Sequence, residues 1–375
     1  MFPRFSTVYR YTTVIVLLLV SAFMIMQFSG NRTDSGDDIM RSVVGSERSV
    51  LSTKSLRTAT SIHKHTTEIN RYGKGNVANP HSFRYVLNPV KLCTGNDIFI
   101  ITYVHSAPKN LKKRQTIRQT WGSGTYFLTQ KVRVVFIMGQ VADKHVMESV
   151  RMESDLYGDI VQEDFLDSYH NLTYKALAGL KWVSTFCRHT AYVLKTDDDI
   201  FVNVFVLMKY IQSTVELSYG RTNLILCNQW IHMKVMRDKR SKWYIPKEDF
   251  SPDYFPPYCS GSAYLMSSDV TEGMYRLSLT TPFFWVDDYY ITGLLVHKLN
   301  LTHRRYNSAY VLNPSVVLEK FKNDEDHKYA FFHTHKLKTM FYLWTTVISN
   351  ESKAVHTKNS TTVSTEVNQN MSRHV

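Results

Sequence analysis

The stretch Ala191-Tyr-Val-Leu-Lys-Thr196, running into Asp197-Asp198-Asp199, constrains the fold of this chain more than any other segment. A short apolar run with aromatic and β-branched residues reads as a buried strand. Three carboxylates then fall where the strand runs out, and adjacent like charges are costly unless a cation offsets them. A solvated acidic turn is the competing reading of a bare triplet, so the surrounding sequence has to decide.

Strand and helix patterns alternate ahead of the triplet. Residues 97–104 and 131–138 read as strands, while 109–121, 142–156 and 174–187 carry helical apolar spacing, the last through Leu177, Leu180, Val183 and Phe186. Alternation of this kind predicts an α/β fold with a parallel, doubly wound sheet. Ligands of such sheets bind at the carboxyl ends of the strands, which is where the triplet falls.

Residues 12–28 form an uncharged apolar run, close to the roughly 17–25 residues that cross a bilayer as a helix. Arg4 and Arg10 precede it, and Asp34, Asp37 and Asp38 follow, which predicts a short cytosolic tail over 1–11 and a lumenal remainder. The length of the run and the missing small-x-small site favour an anchor over a cleaved signal peptide. Residues 29–92 are polar and predict a lumenal stem; 93–348 hold one large domain with a substantial core; 349–375 form a polar tail. Glycosylation sequons begin at Asn31, Asn171, Asn300, Asn350, Asn359 and Asn370, all on the lumenal side.

The four cysteines lie there too, where disulfides persist. Sequence alone leaves their pairing open. Cys93 and Cys187 each precede a strand of one parallel sheet, which favours joining them and leaves Cys227 with Cys259. The net charge of +13 invites a nucleic-acid reading, but a lumenal chain does not meet genomic DNA or most RNA, so no nucleic-acid partner is expected. Part of that charge lies in His232–Lys242, either a solvated loop or a patch for an anionic diphosphate or membrane surface.

Several further motifs carry chemistry. Arg114 and Arg118 stand four apart on one helix face, and guanidinium groups suit phosphate or uracil, although a solvated face is equally consistent. In Glu163–Lys175, Asp167 or Ser168 is placed to cap the following helix. Trp243-Tyr-Ile-Pro246 and Tyr254–Tyr264 are dense in aromatics, which pack on the C–H faces of sugars or simply fill a core. Asp287 and Asp288 precede an apolar helical stretch, as a general base with its helper or as N-terminal caps. Phe331–Lys336 offers two histidines as structural groups or metal ligands.

Taken in order, these motifs resemble the animal β-1,3-glycosyltransferases, and most of all the β-1,3-galactosyltransferases. The carriers are RQTIRQTWG at 114–122, EDFLDSYHNLTYKAL at 163–177, YVLKTDDDIFVN at 192–203, SKWYIP at 241–246, FPPYCSGSAYLMSSDV at 255–270, VDDYYITGLL at 286–295 and HTHKLKTMFYLW at 333–344. The resemblance implies a GT-A-like mixed sheet in a single-pass type II enzyme of the Golgi membrane. It implies an inverting transfer of galactose from UDP-galactose, with Mn²⁺, to the 3-hydroxyl of a glycan acceptor on glycoprotein or glycolipid. By motif, Asp288 is the catalytic base, Asp199 and His333 hold the metal, and Asp197 lies toward the nucleotide. Asp198 fills the variable middle position of the nucleotide-sugar signature, and Arg114 and Arg118 contact the nucleotide. His335 does not match.

Two departures stand out. The family's Glu-Asp-Val is Asp287-Asp288-Tyr289 here, and its Gly-x-Gly-Tyr is Gly261-Ser-Ala263-Tyr264, where a methyl would crowd a close backbone approach. Transfer of N-acetylglucosamine or N-acetylgalactosamine is the alternative within the class. An inactive membrane-anchored lectin-like protein is the alternative outside it.

Overall fold

The computed structural model describes residues 78–79, 81–95, 98–123 and 132–353. Its strands are β1 (Tyr85–Leu87), β2 (Ile100–His105), β3 (Val132–Gln140), β4 (Ile160–Leu166), β5 (Tyr192–Asp197), β6 (Ile200–Val202), β7 (Ile225–Trp230), β8 (Tyr258–Ser267), β9 (Arg304–Arg305), β10 (Tyr310–Val311) and β11 (Phe331–His333). The strand expected ahead of the acidic triplet is β5. It lies in an eight-stranded sheet of order β1-β4-β3-β2-β5-β8-β7-β9.

From β4 across to β5 the pairing is parallel, as the strand–helix alternation predicts. Beyond β5 it turns antiparallel through β8 and β7, and β1 runs antiparallel on the outer edge. The sheet is therefore mixed. Every residue of β2 is buried, because helices cover both faces. Ile100 and Val104 pack into one core, whereas Ile101 and Tyr103 pack into the other, following the two-residue period of a strand.

Helix α1 (Leu111–Gln119) contributes Ile117, and α2 (Lys144–Tyr157) contributes Val150, to the first core. Helix α3 (Leu172–Phe186) fills the second, with Gly179 directly beneath the Tyr103 ring. A β-carbon at 179 would overlap that ring, so the close approach requires glycine. A three-stranded sheet, β10-β11-β6, sets His333 opposite Ile200, one residue beyond the triplet.

Cys93 is bonded to Cys187 and Cys227 to Cys259. The first bond ties the segment before β2 to the end of α3; the second clamps β7 to β8. The expected stem boundary at 92 lies too far along the chain. Residues 85–87 already pair with β4, and Trp182 donates to Asn88 across 2.9 Å. At the other end a helix spans 337–353, past the expected limit of 348. Its Leu343 and Trp344 are buried in the first core.

The apolar run over 12–28 and the sequons at Asn31, Asn359 and Asn370 lie outside the described residues. No helix among the described residues is long and apolar enough to cross a membrane. Asn300 and Asn350 are exposed, while the half-buried Asn171 amide donates to the Leu166 carbonyl over 2.8 Å.

Candidate active site

A cleft of about 760 Å³ opens at the carboxyl ends of β2 and β5, of the size expected for a small-ligand site. It collects most of the residues singled out in the sequence. Asp197, Asp198, Asp199, Asp287, Asp288 and His333 all line it, with Trp230, Trp243, Tyr258 and Trp285.

The three adjacent aspartates are not equivalent. Asp198 is buried and accepts from Ser106 Oγ (2.8 Å), Asn110 Nδ2 (2.8 Å) and Lys113 Nζ (2.7 Å). Both its oxygens are thus used in pinning the β2–α1 loop, so Asp198 shapes the cleft that it borders by holding this loop in place. Asp197 is more open, and its Oδ1 accepts from Lys195 Nζ over 2.7 Å. Enclosure in the cleft raises its carboxyl to about 6, against the pull of Lys195 and with a further push from Asp199.

Asp199 points toward β11. Its carbonyl accepts from the Thr334 amide (2.7 Å) and hydroxyl (3.0 Å), which fixes the turn against that strand. Oδ2 then stands 3.9 Å from His333 Nε2 and 3.4 Å from Lys113 Nζ. His333 Nδ1 is 3.2 Å from the Leu312 carbonyl, a contact in which that nitrogen donates and which turns Nε2 toward Asp199. An imidazole oriented by a carbonyl behind it is the usual arrangement at a metal ligand. Among the described residues no cluster of three or more His, Cys, Asp or Glu side chains forms a metal cage. Asp199 and His333 are two side chains that could hold a divalent ion there, whose remaining shell would have to come from the oxygens of a bound ligand.

Asp287 and Asp288 open helix α4, which runs Asp287–Tyr289, widens to a π turn over Tyr290–Leu295 and closes with Val296–Lys298. Burial pushes Asp288 up to about 8, with Asp287 adding to the shift and Lys195 opposing it. Asp287 is raised as well, again chiefly by burial. Lys195 is buried and donates to the Gly261 carbonyl, so it stands as countercharge between Asp197 and the Asp287–Asp288 pair. Lys195 was missed in the sequence, although its spacing of two from Asp197 puts both on one strand face.

Arg114 and Arg118 do not enter the cleft. Arg114 is fully buried, with Nε and Nη2 on Glu153 (2.9 and 2.6 Å) and Nη1 on Ser106 Oγ (3.1 Å) and the Ala107 carbonyl (2.6 Å). Arg118 bonds Asp159 (2.7 and 2.8 Å) and Glu153 (2.6 Å), with its guanidinium over the Phe136 and Tyr157 rings. The expected nucleotide contact is thereby corrected. Spacing of four places two side chains on one helix face, but here that face turns inward onto α2.

The methyl of Ala263 does not crowd the cleft either. It faces the first core, and Ser260, Gly261 and Ser262 form the cleft wall instead. Asp167 does not cap α3; it accepts from the Gly139 amide (2.8 Å) and Lys175 (3.0 Å). At the mouth, Trp243 Nε1 donates to Tyr169 OH over 2.7 Å, joining the loop after β7 to the segment before α3.

A family model described as Galactosyltransferase matches residues 112–307. Beta-1,3-galactosyltransferase 1 of Homo sapiens is 39% identical over 232 residues, covering 62% of this chain and 70% of that protein. Beta-1,3-galactosyltransferase 5 of Homo sapiens is 34% identical over 222 residues, covering 59% and 70%. The solved structure of a glycosyltransferase involved in the glycosylation of the major capsid of PBCV-1 aligns at a TM-score of 0.35 and 11% identity, covering 64% of this chain and 96% of that one.

Proposed function

The chain belongs to the galactosyltransferase family, and on that premise we propose that it is a UDP-sugar-dependent β-1,3-hexosyltransferase moving galactose from UDP-galactose to a glycan 3-hydroxyl. The fold is read as GT-A-like. The observation that carries the reading is one shared cleft holding a half-buried carboxylate of raised proton affinity, Asp288, together with the Asp199–His333 pair.

In this reading Asp288 accepts the proton of the acceptor 3-hydroxyl as that oxygen attacks the anomeric carbon. The carbon–oxygen bond to UDP breaks on the opposite face, so an α-linked donor yields a β-1,3 product. Asp199 and His333 would hold Mn²⁺, which when bound supplies positive charge to the diphosphate leaving group. With Arg114 and Arg118 withdrawn, Lys113 is a cation of this chain at that end of the cleft. Trp230, Tyr258 and Trp285 offer apolar faces to the acceptor ring. Residues 12–28 would anchor the enzyme in the Golgi membrane with its domain in the lumen.

The presence of the base and both metal-ligand candidates speaks against a catalytically silent lectin-like role, and likeness to galactosyltransferases favours galactose over an N-acetylhexosamine as donor. The full chain, presented with a panel of UDP-sugars, Mn²⁺ and simple acceptors, should form a β-1,3-galactoside. Asp288→Asn should lose turnover while still binding UDP. Undiminished turnover in that variant would remove Asp288 as the base.

A further inference from the structure

His105 ends β2 at the floor of the cleft, and neither of its ring nitrogens has a hydrogen-bond partner among the described residues. Its side chain is 4% exposed, and Asp197 Oδ1 stands 4.0 Å from Nδ1, too far for a hydrogen bond. Buried polar groups are almost always paired, because an unpaired one carries its full desolvation cost. A polar ring left in this condition at the bottom of a binding cleft is preorganised for a ligand atom.

The chemistry of that atom follows from the ring's charge. Burial holds His105 unprotonated, and the Lys195 and Lys175 ammonium groups reinforce this. The ring thus brings no positive charge for phosphate. A neutral imidazole presents one N–H donor and one lone pair, which a hydroxyl, itself donor and acceptor, can match. Depth selects the donor substrate over the acceptor. The half-exposed Trp243 and Tyr169 stand at the mouth, whereas His105 is enclosed beside Asp197 and beneath the Ser106–Asn110 loop that Asp198 holds in place.

We propose that His105 is a donor-binding residue whose imidazole, unpartnered at the bottom of the cleft, hydrogen-bonds a hydroxyl of the nucleotide sugar, on the ribose or on the hexose. The inference rests on the transferase reading above. Nothing in it requires His105 to exchange a proton with the reacting atoms.

Calorimetric titration of the full chain with UDP and with UDP-galactose, in the presence of Mn²⁺, tests it. His105→Phe keeps the aromatic volume and removes both polar atoms; His105→Gln keeps one donor and one acceptor. His105→Phe should weaken UDP-galactose binding about tenfold, whereas His105→Gln should retain most of the affinity. An equal loss with UDP places the contact on the ribose, and a loss confined to UDP-galactose places it on the hexose. Unchanged UDP-galactose affinity in His105→Phe overturns the proposal. So does a loss confined to Mn²⁺ binding measured without nucleotide. If His105→Phe fails to fold, the proposal stands or falls on His105→Leu, read by the same titration. A wild-type chain that binds UDP-galactose yet forms no galactoside would fail the transferase reading and leave the His105 contact standing.

Discussion

The Asp288 carboxylate lies so close against Gly261 that a β-carbon at that position would overlap Asp288 Oδ1. Position 261 therefore fixes where the proposed base stands, and it does so through the absence of a side chain. Gly261→Ala has to push Asp288 aside, because the other neighbour, Lys195, is itself buried against the Gly261 carbonyl. Misplacing a reacting group by about 1 Å costs on the order of a hundredfold in rate. Gly261→Ala is expected to lose at least that much in kcat while its UDP affinity, measured by calorimetry, stays unchanged. Near-normal turnover would show that Asp288 is not held at the reacting atoms.

The neighbouring carboxylate gives the second prediction. Asp287 helps to raise Asp288 to about 8, and a base works only when ionised. The activity kcat/KM should therefore climb as pH rises through that value. Asp287→Asn removes one negative charge and should move the climb to lower pH. A profile that stays in place would assign the limb to another group.

Stability has the opposite sign. The folded pKa of Asp288 lies above its ordinary value of 3.8, so the native state binds a proton that the unfolded chain has already released. Its contribution is fully present below about pH 4 and is lost as pH rises toward 8. Thermal unfolding of Asp288→Asn should accordingly be less sensitive to that rise than the parent. Parallel pH dependences in the two proteins would refute the raised proton affinity.

Arg114 should behave as a structural residue. Removing one member of a buried ion pair strands the other, at a cost of about 3–5 kcal/mol. Arg114→Met takes two of the three arginine bonds from Glu153, leaving Arg118 alone to offset that buried carboxylate, which puts the cost at the lower end of this range, and it also releases Ser106, which holds Asp198. Chemical denaturation should show a loss of that order. UDP affinity in the protein that remains folded should be little changed, and a large selective loss of UDP binding would restore the arginine to the nucleotide site.

The same residues show why the sequence was legible in some places and misleading in others. β5 and its acidic end could be read because an apolar run and a charge cluster are local signals. Strand β8 was missed, since Cys-Ser-Gly-Ser-Ala has turn-like composition and becomes a strand only between β5 and β7. Edge strand β1 was assigned to a stem for a related reason: three residues gain their order from β4, about eighty positions away. Arg114 was placed on the correct helix with the wrong face outward. Nothing local states that Glu153 and Asp159 wait beneath it. Lys195 and His105 matter through what surrounds them in space, which a linear pattern does not carry.

His333 supplies the last test. Its Nε2 faces Asp199 only because Nδ1 is engaged by the Leu312 carbonyl, and β11 is held in register opposite β6. If the pair holds the metal, His333→Ala should raise the Mn²⁺ concentration for half-maximal activity, by at least the 10–100-fold typical of losing even a supporting contact. Asp199→Asn should act in the same direction, and the double variant should cost little beyond the larger single effect, since both remove one site. His335→Ala is the control: its ring is edge-on to His333 at 4.9 Å, and nothing places it in the metal shell. Equal Mn²⁺ dependence in His333→Ala and the parent would move the metal, if there is one, away from this pair.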